Sequence, residues 1–325
     1  MKILITGATG YIGSHLLRYL NKEHRNDLIP LCRKLPEHFI DWKNEFQVIE
    51  ADVTNLNELT EKIKGQIDCI IHLAAYNDVN SSKFPDQALM VNGIGTRNML
   101  EIAKQCKCKT FIYFSTLQVY GKELHGTYTH ETCPDCSDDY SLTHYIAEEY
   151  CRMFSLRYNL NVGIIRLSNG FGCPIHYKID RWTLVPGSLC LSAFKEGRIV
   201  LKSSGKQNRD FVSLDYVSKC VDYLMKYGIS GFNIYNITSE KLFSVMEIAE
   251  MVVSSAKTVL NRDVEITCES ENPVHANKFL VKNNICETLF LTKPYDKTRI
   301  RDELITEIEK IFEMLKNNEG KHGPN

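Results

Sequence analysis

The eight residues Thr6-Gly7-Ala8-Thr9-Gly10-Tyr11-Ile12-Gly13 constrain this chain more than any other segment. They follow a short apolar run and open a helical pattern. Glycines at such a junction let the backbone turn tightly and approach a pyrophosphate, and the helix N-terminus adds amide donors and a positive dipole. A glycine pattern alone is weak, but a strand before it and a helix after it make it informative. A dinucleotide-binding loop is expected here, with Gly7, Thr9, Gly10, Tyr11, Ile12 and Gly13 against the cofactor; the competing reading is a glycine-rich turn without a ligand.

The pattern that follows agrees with such a loop. Apolar runs at 3–6, 28–31, 46–49, 69–73, 110–114 and 162–167 read as buried strands, and amphipathic stretches at 15–22, 56–64, 92–105 and 140–158 read as helices. Strand–helix alternation with right-handed crossovers predicts an α/β, Rossmann-type doubly wound parallel sheet. Beyond about residue 170, glycine, proline and aromatic residues become more frequent. Strands at 200–201, 211–214 and 232–237 and helices at 242–253 and 302–315 predict a smaller mixed α/β C-terminal unit. The expected division is a dinucleotide-binding domain over 1–168, a mainly substrate-binding domain over 169–316 from which the chain crosses back to the first, and a flexible polar tail over 317–325.

Composition mainly excludes. The net charge of -1 gives no electrostatic case for nucleic acid or a membrane surface, and no apolar run reaches a spanning length. The run at 2–5 is too short for a signal-peptide core, so a cytoplasmic protein is expected, its twelve cysteines free thiols. Cys133 and Cys136 have redox or metal-ligand spacing with His130 nearby, and Cys106 and Cys108 lie upstream. A second matching pair is missing, so loop thiols rather than a metal site are expected. The second strand runs into Leu31-Cys32-Arg33-Lys34, where an NAD site would carry a carboxylate for the ribose 2′-hydroxyl; Arg33 and Lys34 lean instead towards the 2′-phosphate of NADP. Asp52, followed by Val53 after the third strand, is placed to bond the adenine amino group.

Several further motifs occur in the order seen in the extended short-chain dehydrogenases/reductases. These are Ile70-Ile71-His72-Leu73-Ala74-Ala75, Val91-Asn92-Gly93-Ile94-Gly95-Thr96, Phe114-Ser115-Thr116-Leu117-Gln118-Val119-Tyr120-Gly121, Arg166-Leu167-Ser168-Asn169-Gly170-Phe171-Gly172 and Gln207-Asn208-Arg209-Asp210-Phe211-Val212. The chain resembles the NAD(P)-dependent nucleotide-sugar epimerase/dehydratase family over nearly its whole length, most strongly over 1–240. The resemblance implies that Leu73, Ala74 and Ala75 run beside the cofactor and that Asn92 also belongs to the cofactor site. It implies that Thr116 bonds the reacting sugar oxygen, and that Asn169 and Arg209 meet the substrate diphosphate. It also implies a homodimer through the helices at 92–105 and 140–158.

The same resemblance makes Tyr140 the acid/base that exchanges a proton with a sugar hydroxyl while hydride passes between that carbon and nicotinamide. The family places a lysine four residues later; here that residue is His144. A phenol titrates near ~10, and a fixed cation one helical turn away would lower it, whereas a histidine is mostly neutral at pH 7. Three readings stay open. His144 is a working substitute, as an imidazolium held by acidic neighbours; or another group or the cofactor's own charge suffices; or the protein binds cofactor without turnover.

Family members that dehydrate at C5 and C6 carry an Asp-Glu pair after the catalytic Ser/Thr. Leu117 and Gln118 stand there, so a 4,6-dehydratase is not expected. A C4 epimerase or a 4-keto-sugar reductase acting on a nucleotide-diphosphate sugar is expected, with a weak or inactive regulatory or scaffold member as the alternative. A reductase of a non-sugar ketone fits less well, since Arg209 and Asn169 would have no diphosphate to bind. Epimerisation at C3 or C5 would need a further acid–base pair, for which Cys173 and His176 are the candidates.

Overall fold

The inner strands of the central sheet bury both faces, which is why their sequences read as continuous apolar runs rather than alternations. The computed structural model describes residues 1–23, 27–269, 277–285 and 296–319. In chain order its strands are β1 (Lys2–Thr6), β2 (Asp27–Cys32), β3 (Ile49–Glu50), β4 (Cys69–His72), β5 (Thr110–Thr116), β6 (Gly126–Tyr128), β7 (Asn161–Leu167), β8 (Asn169–Phe171), β9 (Arg198–Leu201), β10 (Asn208–Ser213), β11 (Phe232–Ile237), β12 (Leu242–Ser244), β13 (Glu265–Cys268) and β14 (Phe279–Val281). The larger helices are α1 (Tyr11–Glu23), α2 (Leu56–Lys62), α3 (Thr96–Gln105), α4 (Asp139–Tyr158), α5 (Val185–Glu196), α6 (Leu214–Tyr227), α7 (Val245–Leu260) and α8 (Lys297–Asn317).

Seven strands form one all-parallel sheet in the order β11-β7-β5-β4-β1-β2-β3. Along β1 the side chains alternate between its faces. Ile3 and Ile5 pack with Leu16, Leu17 and Leu20 of α1 and Val217, Val221 and Leu224 of α6. Leu4 faces the other way, with Met99 and Leu100 of α3 and Ala147, Cys151 and Phe154 of α4. Full burial of each such side chain contributes roughly 1.5–3 kcal/mol. The order reverses between β1 and β4, and in open α/β sheets ligands bind in the crevice beyond the strand ends at such a switch point. Smaller sheets, β12-β10-β8 and β13-β9, build the C-terminal unit, whose core packs α5, α7 and α8 together.

Several expected boundaries move. The strand at 46–49 shrinks to Ile49–Glu50 because Trp42–Glu45 is a helical turn and Phe46 closes it. The helix expected from 242 begins at Val245, since Leu242–Ser244 pairs with β10 and Ser244 and Glu247 form a reciprocal capping box. The strand at 211–214 starts earlier, at Asn208, and stops at Ser213, which caps α6 by accepting from the Tyr216 amide. The helix expected from 92 is preceded by a π-helical stretch, Leu89–Gly95, before α3 proper. The last helix runs from Lys297, capped by Asp296, to Asn317, and residues 320–325 of the expected tail lie outside the described residues.

Candidate active site

The glycine loop joins β1 to α1 with almost no spare volume. Gly7 has φ +65, and a Cβ there would lie 2.8 Å from the Ala74 amide nitrogen. A Cβ on Gly13 would lie 2.2 Å from the Gly7 carbonyl oxygen. Both positions therefore require glycine, and the tight turn they allow is the form expected of a pyrophosphate loop. Gly10 N–H donates to Gly7 O at 2.9 Å, closing the turn.

Leu73 and Ala74, at the end of β4, come against this loop; both donate their amides to Thr6 Oγ1 at 3.1 Å. Ala75 is exposed. Asp52 holds Thr54 by two bonds of 2.8 Å to its Oδ1, and the Val53 carbonyl accepts from Asn98. Arg33 and Lys34 stand exposed just past β2. Asn92 is fully buried; its Oδ1 accepts from the Tyr76 amide at 2.7 Å and its Nδ2 donates to Thr143 at 2.9 Å. Its amide thus ties the segment after β4 to α4.

Helix α4 starts at the site. Asp138 caps it, with Ser141 returning the bond. Tyr140 lies in the first turn and Thr116 at the end of β5, with the Thr116 hydroxyl close enough to the phenol to act on its pKa. Enclosure raises the Tyr140 pKa, the positive charge of Arg181 lowers it, Asp78 raises it, and the bond from Thr116 lowers it. Arg181 is the residue the sequence reading missed: it sits in the stretch after β8 and lies 3.8 Å from Asp78. Arg209 feels Asp78 as well, though desolvation dominates and lowers its pKa. Tyr140, Arg181 and Arg209 thus share one carboxylate neighbour.

Arg209 makes no structural pair with the two nearby acids. Asp210 is buried and accepts from Ser239 and Lys241, while Asp215 is bound to Lys219 at 2.6 Å. Asn169 donates to the Asp210 carbonyl at 2.8 Å.

His144 has no acidic partner, among the described residues, of the kind the imidazolium reading requires. It is 2 % exposed, burial pushes its pKa down to about 4, and no acidic neighbour offsets that burial. Its Nδ1 is 2.7 Å from the Tyr113 hydroxyl, its ring meets Tyr140 edge-on at 4.7 Å, and its Nε2 is buried without a partner among the described residues. The nearest carboxylate along the helix, Glu148, is spent on Arg166.

His176 stacks on His38 with centroids 4.3 Å apart, and burial pushes the Cys173 thiol up to about 12. Cys133 and Cys136 are free thiols. No helix among the described residues is long and apolar enough to cross a membrane.

Comparison with known proteins places these features. The profile of the NAD dependent epimerase/dehydratase family matches residues 3–238. A protein of Dictyostelium discoideum named dTDP-D-glucose 4,6-dehydratase is 29% identical over 282 residues, covering 78% of this chain but only 62% of its own length. A Bacillus subtilis protein named as an uncharacterized UDP-glucose epimerase is 27% identical, covering 84% of this chain and 88% of itself. The fold is shared with a UDP-glucuronic acid 4-epimerase from Bacillus cereus solved in complex with NAD, at a TM-score of 0.78 and 21% identity over 98% of this chain and 97% of that one. The chain belongs to the NAD dependent epimerase/dehydratase family.

Proposed function

We propose that this family member is an NAD(P)-dependent oxidoreductase of nucleotide-diphosphate sugars that works at C4, as an epimerase or a 4-keto-sugar reductase. The observation that carries the reading is that Tyr140, beside Thr116, lies in the field of the same carboxylate, Asp78, as two arginines, Arg209 and Arg181, the latter 3.8 Å from it. A diphosphate suits an arginine that no structural acid neutralises, and the two hydroxyls suit a sugar oxygen that gains or loses a proton.

The glycine loop fits a dinucleotide: Gly7 and Gly13, where a Cβ would strike backbone, let the turn close tightly at the N-terminus of α1. Residues of the 6–13 loop, Asp52, Val53, and the Leu73–Ala75 backbone would hold it, with Asn92 bracing the wall rather than touching it. Arg33 and Lys34 lean the choice towards NADP, while the structural neighbour holds NAD. Bound there, nicotinamide supplies the hydride acceptor or donor. Tyr140 then exchanges the proton of the sugar hydroxyl and Thr116 orients that oxygen. A relative named as a 4,6-dehydratase keeps dehydration within the family. Against it here stand Leu117, buried and apolar, and Gln118, which does not titrate.

A homodimer belongs to the same reading. Leu142, Met153 and Leu156 of α4, one of the helices expected at the interface, are exposed apolar side chains, as are Leu89 and Met90 at the start of the π-helical stretch that leads into the other.

The neutral His144 favours one second reading, a cofactor-binding member with little turnover. Assays of UDP- and dTDP-hexoses and their 4-keto forms with both cofactors separate the two. Tyr140→Phe is expected to lower kcat by about 10²–10⁴ with dinucleotide affinity kept. Dinucleotide binding without turnover of any such sugar would leave the second reading standing.

A further inference from the structure

A buried line of polar groups runs beneath the site, and its protons can be assigned one by one. Thr6 Oγ1 accepts two amides, from Leu73 and Ala74, so its own proton goes to His72 Nδ1 at 2.6 Å. His72 is therefore protonated on Nε2, which donates to Thr96 Oγ1 at 3.1 Å. The Thr96 hydroxyl donates in turn to the Asn92 carbonyl at 2.5 Å. All four side chains are fully buried. His72 is held neutral by that burial, its pKa near 3.

Tyr113 comes next, also near Thr96, and it has one proton. Thr96 accepts from His72 through one of its two lone pairs, and an alcohol oxygen is a much weaker acceptor than an imidazole nitrogen. The phenol therefore donates to His144 Nδ1 at 2.7 Å. The titratable groups around this contact are His72 on β4, Tyr140 on α4, and Cys151 and Glu148 of α4 beside Tyr113. Glu148 is engaged by Arg166.

We propose that Tyr113 is a positioning residue: it holds His144 as the neutral Nε2–H tautomer, so that position 144 presents one uncharged, fixed hydrogen-bond donor where a charged flexible side chain would otherwise stand. The unpartnered Nε2 is the second observation that points to a ligand, since a buried N–H without an acceptor is destabilising. An acceptor oxygen of the bound dinucleotide is the fitting partner, an assignment that rests on the cofactor reading above. The tautomer itself does not depend on that reading. Positive potential at Tyr140 then comes from Arg181 rather than from position 144.

The test is 15N NMR of the full-length protein labelled at histidine, with the His144 signals among ten histidines identified by their loss in His144→Gln. Near neutral pH, Nδ1 is expected at the shift of a bare nitrogen and Nε2 at that of a protonated one. In Tyr113→Phe the tautomer ratio should move by about fivefold or more towards Nδ1–H, the equilibrium weight of one net hydrogen bond. An imidazolium, an Nδ1–H tautomer in the wild type, or a ratio that Tyr113→Phe leaves unmoved overturns the proposal. If Tyr113→Phe does not fold, the wild-type spectrum decides. Added NADP or NAD should shift the Nε2 signal. A locked tautomer that neither nucleotide perturbs overturns the dinucleotide acceptor and leaves the lock in place.

Discussion

His144 and Glu148 lie one turn apart on α4, equally buried, and meet burial in opposite ways. Glu148 stays in a hydrogen-bonded ion pair: Arg166 reaches its carboxylate with Nη2 at 2.7 Å and Nε at 3.1 Å, and Ser115 adds a bond of 2.5 Å. His144 gives up its charge and keeps a single bond to Tyr113. The acid nearest to position 144 along the helix is thus already committed, and a cation there would have nothing to balance it. A buried charge is tolerable only when paired and hydrogen-bonded, and otherwise the group neutralises. The catalytic helix carries its ion pair beside the site and a neutral donor within it.

The largest effect should come from breaking the pair. Glu148→Gln leaves the Arg166 guanidinium buried and unpaired beside Tyr120, and should cost about 3–5 kcal/mol in urea unfolding. Double replacement of both partners by apolar residues should recover much of that loss. A Glu148→Gln protein as stable as the wild type would mean that Arg166 finds another partner, and the contrast would fail.

Acid should expose the other half of the comparison. The folded pKa of His144, about 4, lies below the ordinary 6.5, so between those values the unfolded chain binds the proton and the folded chain does not. Stability is therefore full above about pH 6.5 and falls as pH drops towards 4. The loss ascribable to His144 is about 3 kcal/mol, from 1.36 kcal/mol per pKa unit. His144→Gln should reduce the pH dependence of unfolding across that window, leaving the part that His72 contributes. An unchanged slope would show that His144 titrates normally in the folded protein.

How far these features could be read in advance differs by level. The glycine loop was legible because its requirement is local: Gly7 and Gly13 are imposed by backbone crowding within one turn. The parallel strands were legible as apolar runs, and Tyr140 and position 144 by helical spacing. Ser244 and Glu247 carried a readable capping box that was passed over in favour of apolar periodicity. Tyr113 read as an ordinary strand residue; its hydroxyl matters only because β5 turns it towards α4. Arg181 was the least legible. Its stretch has no periodicity, and its meaning depends on Asp78, about a hundred residues upstream in the chain.

Arg181 also supplies the smallest test and the one most specific to catalysis. If position 144 is neutral, the charge that draws the Tyr140 phenol down has to come from elsewhere, and Arg181 is the cation that does so. Removing it in Arg181→Gln should raise the phenol pKa. On the proposed reading, Tyr140 is the base in the direction that oxidises a sugar hydroxyl, so the rise of kcat with pH should move to higher pH. The arginine is partly exposed and already faces Asp78, which limits the displacement to about one pH unit. Asp78→Asn removes the opposing charge and should move the same rise to lower pH by a comparable or smaller amount. Two displacements of opposite sign would locate the working cation outside α4. A rise that stays in place in Arg181→Gln but moves in His144→Gln would return that role to position 144, and the neutral donor with it would be lost.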